Sequence, residues 1–157
     1  MKCRLLFVDD ERAIRETLPP ILKRYGFTVT VAATVQEALG EICKQQFDVL
    51  LCDLNIQCEG DGYEVVRAVR AIDPACAIVI LTAFPGVESA VEGIHQDIDD
   101  YVLKPTSADE LVALLAEKLA ARRMKLMVWQ EPKIPQSEPG AAIGTTTTAE
   151  KNKPTIN

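Results

Sequence analysis

The sequence predicts an α/β fold in which a parallel sheet of five strands is covered by helices on both faces. Short apolar runs rich in Val, Leu and Ile recur without polar alternation, as in strands buried on both faces. Helical patterns separate these runs, and such strict alternation favours a three-layer architecture. Four of the runs, over 4–8, 49–52, 78–81 and 101–103, each end at a polar residue. Because parallel strands share one carboxyl edge, we expect these polar residues to meet there.

The first strand is followed by a helical stripe over 11–25, which Gly26 is expected to end as the residue just past the helix. Pro19 and Pro20 lie inside this stripe. We expect a kink or a restarted turn there, because proline lacks the N–H that a helix interior needs. The second strand, over 27–33, alternates apolar and polar residues and is therefore predicted to be more exposed.

The rest of the chain continues to alternate strand and helix. Two capping boxes, Thr34 with Glu37 and Ser107 with Glu110, predict where two helices begin. The remaining predicted elements are a helix through about 44, a strand over 49–52, a helix before Pro74, a strand over 77–81, a weaker helix over 87–95, a strand over 101–103 and a long helix through about 123.

The composition changes after Met127, where prolines and a threonine run replace large apolar residues. Such a segment buries too little surface to offset its ordering entropy. We therefore expect one domain over 1–124 and a flexible tail or shortened linker over 125–157. Part of this tail is expected either to extend the last helix or to dock onto a neighbour through Trp129.

Composition excludes several classes of protein. The formal charge of −6 argues against direct binding of nucleic acid or anionic membranes, which needs a basic surface. No apolar stretch approaches the ~20 residues of a membrane span, and no signal-peptide layout follows Met1, so we expect a cytoplasmic protein. The cysteines form no C-x-x-C pair and are interpreted as small core residues in a reducing compartment; they are Cys3, Cys43, Cys52, Cys58 and Cys76.

The polar residues at the strand ends are those of a metal-assisted phosphoryl site. Clustered carboxylates from Asp9, Asp10 and Asp53 would repel each other unless a cation neutralised them, and oxygen ligands favour Mg²⁺. Lys104 is suited to contact a phosphoryl oxygen, and Thr82 to donate a hydrogen bond to it. An aspartate beside a metal is a competent nucleophile that gives an acyl phosphate. Simple helix capping would explain one or two of these residues, but not the doubled aspartate at the first strand.

Four short motifs carry a resemblance to a known family. The runs F-V-D-D-E, D-L-N, L-T-A and Y-V-L-K-P, in this order over residues 3 to about 123, resemble the receiver domain of two-component response regulators. The resemblance implies a flavodoxin-like, doubly wound (βα)5 sheet with strand order 2-1-3-4-5. It also implies a signalling switch that catalyses only its own phosphorylation and slow dephosphorylation.

The resemblance assigns roles to individual residues. Asp53 would accept a phosphoryl group from a histidine kinase or a phosphotransfer protein. Asp10, Asp53 and the backbone carbonyl of Asn55 would ligate Mg²⁺ (or Mn²⁺), with Asp9 acting through water. Lys104 would contact the phosphoryl group.

The resemblance also implies a switch. Thr82 would move toward the phosphoryl oxygen and Tyr101 would turn inward behind it, although Tyr101 is also interpretable as plain core packing. The shift would reshape the face made by the fourth and fifth predicted helices and the fifth strand, where a homodimer is also open by analogy. Pro105 is similar to the family's cis proline. The output partner is not identified by the sequence.

Two segments depart from the family pattern. The loop over 53–62 lacks the usual proline and has one extra residue, so we expect a bulged, more mobile loop with altered kinase recognition. The segment 96–100 replaces the usual small residues, which predicts an atypical fourth helix and loop. Phe84 either shields the phosphoryl group from water or is a plain loop aromatic, and His95 is interpreted as a surface residue. The basic residues of the segment 122–125 are interpreted as complementing the negative end of the last helix.

Three functions of different classes fit these residues. The leading one is the phosphorylation-operated switch. The second is a phosphorylation-independent interaction module of the same fold, against which the complete acidic, hydroxyl and lysine set argues. The third is an enzyme with an aspartyl nucleophile, which would need a second catalytic Asp where Asn55 stands.

Overall fold

The computed structural model describes residues 3–83 and 97–129. The strands are β1 (Cys3–Val8), β2 (Phe27–Ala32), β3 (Val49–Cys52), β4 (Ala77–Thr82) and β5 (Asp100–Leu103). The described helices are α1 (Arg12–Arg24), α2 (Val35–Lys44), α3 (Gly62–Ile72) and α4 (Ala108–Trp129). All neighbouring strands are parallel and follow the order β2-β1-β3-β4-β5, which confirms the predicted fold. The predicted helix over 87–95 lies outside the described residues, so α4 corresponds to the fifth predicted helix.

The apolar runs fill a core on each face of the sheet, because successive side chains of a strand point to opposite faces. One core packs α2 and α3 against strand residues that include Leu6, Leu50 and Ile78. The other packs α1 and α4 against strand residues that include Phe7 and Leu51. Strand β2 lies at the edge of the sheet and is partly exposed, as its alternation predicts.

Local signals in the sequence correctly place several helix ends. Gly26 follows α1 with a φ of +94°, the left-handed conformation that glycine adopts without strain. The Thr34 hydroxyl accepts a hydrogen bond from the Glu37 N–H at 3.1 Å, and the Ser107 hydroxyl accepts one from the Glu110 N–H at 3.2 Å. Helix α1 runs unbroken through Pro19 and Pro20, so the restarted turn offered as one alternative there does not occur.

The interpretation of the basic residues 122–125 as complements to the end of the last helix is wrong. Helix α4 continues to Trp129, and its last turn holds no basic residue. The Arg122 side chain is instead buried, with only 4% exposed, and its Nε donates to the Pro74 carbonyl at 2.8 Å. Arg123 pairs with Asp48 at 3.0 Å. These residues therefore hold α4 against the amino edge of the sheet.

Arg122 also joins a network of ions before β5. Its guanidinium pairs with Asp97 and, at 3.4 Å, with Asp99, while Arg70 of α3 reaches Asp99 at 2.8 Å. Asp97 has a φ of +54°, and its backbone carbonyl accepts a hydrogen bond from Arg70 at 2.8 Å. Lys125 pairs with Asp97 at 3.1 Å. The network connects α3, the segment before β5 and α4.

An Asp97→Asn variant is expected to lose stability at neutral pH but not in acid. The hydrogen bond from Arg122 holds the pKa of Asp97 at about 2, below its ordinary value of 3.8. A carboxyl whose pKa is lowered by folding stabilises the fold above pH 3.8, and this stabilisation is lost as the pH falls toward 2. Asn keeps the shape and tolerates the positive φ.

The measurement is urea unfolding of both proteins between about pH 7 and pH 2. The difference in unfolding free energy between the wild type and Asp97→Asn should decrease as the pH falls. Glu16→Gln, which alters an exposed pair with Arg12 on α1, is the control and should leave stability nearly unchanged. A gap that is absent at neutral pH would contradict the prediction.

The cysteine interpretation is correct only in part. Cys52 and Cys76 are buried, and burial raises the pKa of both thiols. Cys43 and Cys58 are exposed, so they are not core residues. Among the described residues, no helix combines the length and the apolar character that a membrane crossing needs.

Candidate functional site

Three carboxylates meet at the carboxyl edge of the sheet. Strands β1 and β3 are adjacent and parallel, with Val8 opposite Cys52, so the residues that follow them lie side by side. Asp9 and Asp10 follow β1, and Asp53 follows β3. Each of the three residues offers an oxygen, and these oxygens lie within 4.8 Å of one another. The structure thus brings the three acidic residues together as the strand pattern predicts.

The three carboxylates differ in exposure. Asp9 is fully buried, Asp53 is 8% exposed, and Asp10 is exposed. Burial raises the pKa of Asp9, although a hydrogen bond from Lys104 and one from the Glu11 N–H at 2.8 Å act in the opposite direction. Asp9 is therefore suited to a structural role within the site, whereas Asp53 and Asp10 are open to a ligand.

Lys104 bridges two of the carboxylates. Its Nζ lies 2.7 Å from Asp9 Oδ2 and 2.6 Å from Asp53 Oδ2. Burial alone would lower the pKa of Lys104, but the hydrogen bonds to Asp53 and Asp9 outweigh it and raise that pKa. The lysine is therefore a fixed positive charge directly beside Asp53.

The backbone after β5 positions this lysine. Because β5 pairs with β4, the Lys104 N–H donates to the Thr82 carbonyl at 2.8 Å, directly beyond the sheet. The peptide bond between Lys104 and Pro105 is cis. Thr82 is buried at the end of β4. Lys104 thus reaches the carboxylates from the end of β5, and Thr82 ends the neighbouring strand β4.

Tyr101 lies half-buried on β5 and packs against the core beneath α3. Its hydroxyl lies 3.4 Å from the hydroxyl of Tyr63, the second residue of α3. The local sequence pattern around Tyr63 is that of an apolar helix position, and it does not signal a contact with a residue so distant in the chain. Phe84 and His95 lie outside the described residues.

The loop after Asp53 is closed by its own hydrogen bonds. The Asn55 N–H donates to Asp53 Oδ1 at 3.1 Å, and the Asn55 side-chain oxygen accepts from the Gly60 N–H at 3.0 Å. Gly60 has a φ of +80°, and Ile56 is fully buried. The loop thus closes in a turn at Gly60, while the expected extra residue, bulge and mobility stay predictions.

Gly62 lies against the backbone of the loop that follows Asp53. A Cβ on this residue would lie 2.3 Å from the Asp53 carbonyl oxygen and 2.9 Å from Leu54 Cα, closer than real contacts allow. Its N–H donates to the Leu54 carbonyl at 2.9 Å. The Asp61-Gly62 pair before a helix is the one signal in the sequence for this contact.

The donor set fits a hard divalent cation. Asp9, Asp10 and Asp53 supply only oxygen ligands, and oxygen ligands with room for water are typical of Mg²⁺ sites. One lysine bonds two of these carboxylates, and Asp10 forms no ion pair with any residue of 3–83 or 97–129. Among the described residues, three carboxylates therefore lie beside a single positively charged side chain, Lys104. With a divalent cation bound beside it, the Asp53 carboxylate could act as a nucleophile toward phosphorus.

Residues 5–116 match a family described as the response regulator receiver domain. Transcriptional regulatory protein ZraR of Escherichia coli K12 is 35% identical over 74% of this chain and 26% of that protein. Response regulator MprA of Mycobacterium ulcerans is 39% identical over 80% of this chain and 53% of that protein. The chain thus spans about a quarter of ZraR and about half of MprA.

Solved structures agree with these sequence matches. A CheY-like response regulator receiver domain protein from Methanospirillum hungatei JF-1 superposes with a TM-score of 0.74 at 27% identity, covering 80% of this chain and 99% of that one. Chemotaxis protein CheY4 of Vibrio cholerae superposes with a TM-score of 0.70 at 30% identity, covering 76% of this chain and 100% of that one.

Proposed function

Because the chain belongs to the response regulator receiver domain family, we propose that it is the phosphoacceptor of a two-component phosphorelay. Asp53 takes the phosphoryl group from a phosphohistidine on a histidine kinase or phosphotransfer protein. The observation that carries the proposal is the position of Asp53, nearly buried yet accessible at the sheet edge, with a lysine ammonium 2.6 Å from its carboxylate.

The proposed reaction is a single displacement at phosphorus. A carboxylate oxygen of Asp53 forms the new O–P bond as the P–N bond of the donor breaks, and the released imidazole takes up a proton from water. Lys104 Nζ exchanges its contact with Asp53 Oδ2 for one with a phosphoryl oxygen, where its charge stabilises the transition state. The Thr82 hydroxyl donates a second hydrogen bond to that group.

The acidic cluster is the proposed metal site. Asp10, Asp53 and the backbone carbonyl of Asn55 would hold Mg²⁺ (or Mn²⁺) directly, and Asp9 would act through water. The ion, when bound, offsets the negative charge of the carboxylates and of the transferred group. The assignment is supported by the exposure of Asp10 and the burial of Asp9.

The proposed output is a change of shape. Thr82 moves toward the phosphoryl group, Tyr101 turns inward, and the face made by β5, α4 and the predicted helix over 87–95 changes. Slow loss of the phosphoryl group resets the switch. We place this switch in the cytoplasm and expect an output partner or further domain to read its face, with a homodimer through the same face as an alternative.

The test is to incubate the protein with Mg²⁺ and acetyl phosphate and to follow its intact mass. We expect one phosphoryl group per chain, none in Asp53→Asn and none after chelation of the metal. Asp109→Asn, which changes an exposed carboxylate at the start of α4, is the matched control and should label like the wild type. A wild type that never labels would favour the interaction module, and repeated turnover of phosphate esters would favour the enzyme.

A further inference from the structure

Two tyrosines from separate elements meet on the α3 face of the sheet. Tyr63 is the second residue of α3 and Tyr101 lies on β5, and their hydroxyl oxygens are 3.4 Å apart. Both rings are half-buried and pack against the same apolar core. Tyr101 lies opposite Ile80 in the pairing of β5 with β4, and Ile80 belongs to this core. The contact therefore joins α3 to the far strand of the sheet.

Tyr63 is also fastened to the loop that carries the phosphoacceptor. Its own N–H donates to the Gly60 carbonyl at 3.0 Å, and the preceding Gly62 N–H donates to the Leu54 carbonyl at 2.9 Å. Gly62 is so close to the Asp53 carbonyl oxygen that no side chain fits between them. Because of this close contact, a displacement of the Asp53 backbone would also displace the start of α3.

We propose that the Tyr63 hydroxyl is a positioning group for Tyr101, so that the loop after Asp53, acting through α3, favours the half-buried position of Tyr101 that contacts Tyr63. This connection is separate from the one through Thr82, which belongs to β4. The proposal rests on the proposed function, since it takes Tyr101 as the residue that the switch moves. In this proposal Tyr63 positions Tyr101 and does not itself contact the phosphoryl group.

The physical basis is the hydrogen bond between two hydroxyl groups at the margin of an apolar core. A tyrosine hydroxyl in such a place favours the position in which it is hydrogen-bonded. One neutral hydrogen bond changes an equilibrium by about two- to tenfold. Removing the Tyr63 hydroxyl should therefore lower the population of Tyr101 in this half-buried position, relative to more exposed positions, by about that factor before any phosphorylation.

The test uses the full chain labelled with 3-fluorotyrosine, because it has three tyrosines and so gives three fluorine signals. Single Tyr→Phe variants assign the signals, and the shift between H₂O and D₂O reports how exposed each ring is. In Tyr63→Phe the Tyr101 signal should become more exposed than in the wild type. Mg²⁺ with beryllofluoride, a phosphoryl mimic, should return it toward the buried value.

The matched control is Tyr25→Phe, which removes an exposed hydroxyl that bonds Asp109 on the opposite side of the sheet. It should leave the Tyr101 signal unchanged. An unchanged Tyr101 signal in Tyr63→Phe would overturn the proposal, and so would an exposed signal that beryllofluoride does not reverse, because packing alone would then explain it. Failure of Asp53 to label with acetyl phosphate would instead refute the proposed function. In that case, the Tyr101 signals of Tyr63→Phe and the wild type, compared without beryllofluoride, still test the contact.

Discussion

A Lys104→Met variant is expected to bind Mg²⁺ more tightly than the wild type and yet to accept a phosphoryl group at least about 100 times more slowly. Both effects follow from the loss of one positive charge. Lys104 Nζ lies 2.7 Å from Asp9 and 2.6 Å from Asp53, where its charge offsets the negative charge that would attract a cation. The same ammonium is the proposed partner of the phosphoryl oxygen in the transition state.

The two effects are measured separately. Isothermal titration gives the Mg²⁺ affinity, and the intact mass after mixing with acetyl phosphate gives the rate of labelling. Lys44→Met removes a lysine that pairs with Glu41 on α2 and should change neither quantity. Methionine keeps most of the length of the side chain, so a general collapse of the site is not expected. Weaker metal binding together with an unchanged labelling rate would contradict the assignment of Lys104.

Replacing Gly62 by alanine is expected to cost about 3 kcal/mol of stability, at the upper end for overpacked sites. The added Cβ would lie 2.3 Å from the Asp53 carbonyl oxygen and 3.0 Å from the Leu54 carbonyl oxygen. Both are backbone atoms, so the clash cannot be relieved by turning a side chain. The loop that carries Asp53 must move, and phosphorylation is expected to fall as well.

Gly40→Ala is the matched control for this prediction. Gly40 lies on α2, where a Cβ would meet nothing within 4 Å. Alanine should stabilise that helix by up to about 1 kcal/mol, since it is the better helix former. Urea unfolding of the two variants should therefore give changes of opposite sign. A Gly62→Ala protein as stable as the wild type would contradict the close approach.

The sheet was predictable because its signal is local. Runs such as 49–52 and 78–81 are apolar at every position, which is distinctive of strands buried on both faces. The meeting of Asp9 with Asp53 followed from the same argument, since parallel strands end at one edge. The resemblance to a family supplied the strand order and the individual roles.

What the sequence could not supply depends on contacts between residues distant in the chain. The pairing of Arg122 with Asp97 and Asp99 has no local pattern, and its place near the predicted end of a helix led to a wrong interpretation. The contact of Tyr63 with Tyr101 was overlooked for the same reason. The approach of Gly62 to Asp53 depends on the turn adopted by the loop between them, which hydrogen bonds at Leu54 and Asn55 close.

In the loop after Asp53, the residues that anchor the loop to the core are buried, and those that a partner protein would contact are exposed. Leu54 and Ile56 are buried, whereas Gln57, Cys58 and Glu59 are exposed. Substitutions at exposed positions usually change stability by less than about 0.5 kcal/mol, and those in a core by much more. Mutations can therefore accumulate at the tip of this loop at little cost to folding, which would leave the proposed recognition of a kinase free to diverge while the fold persists.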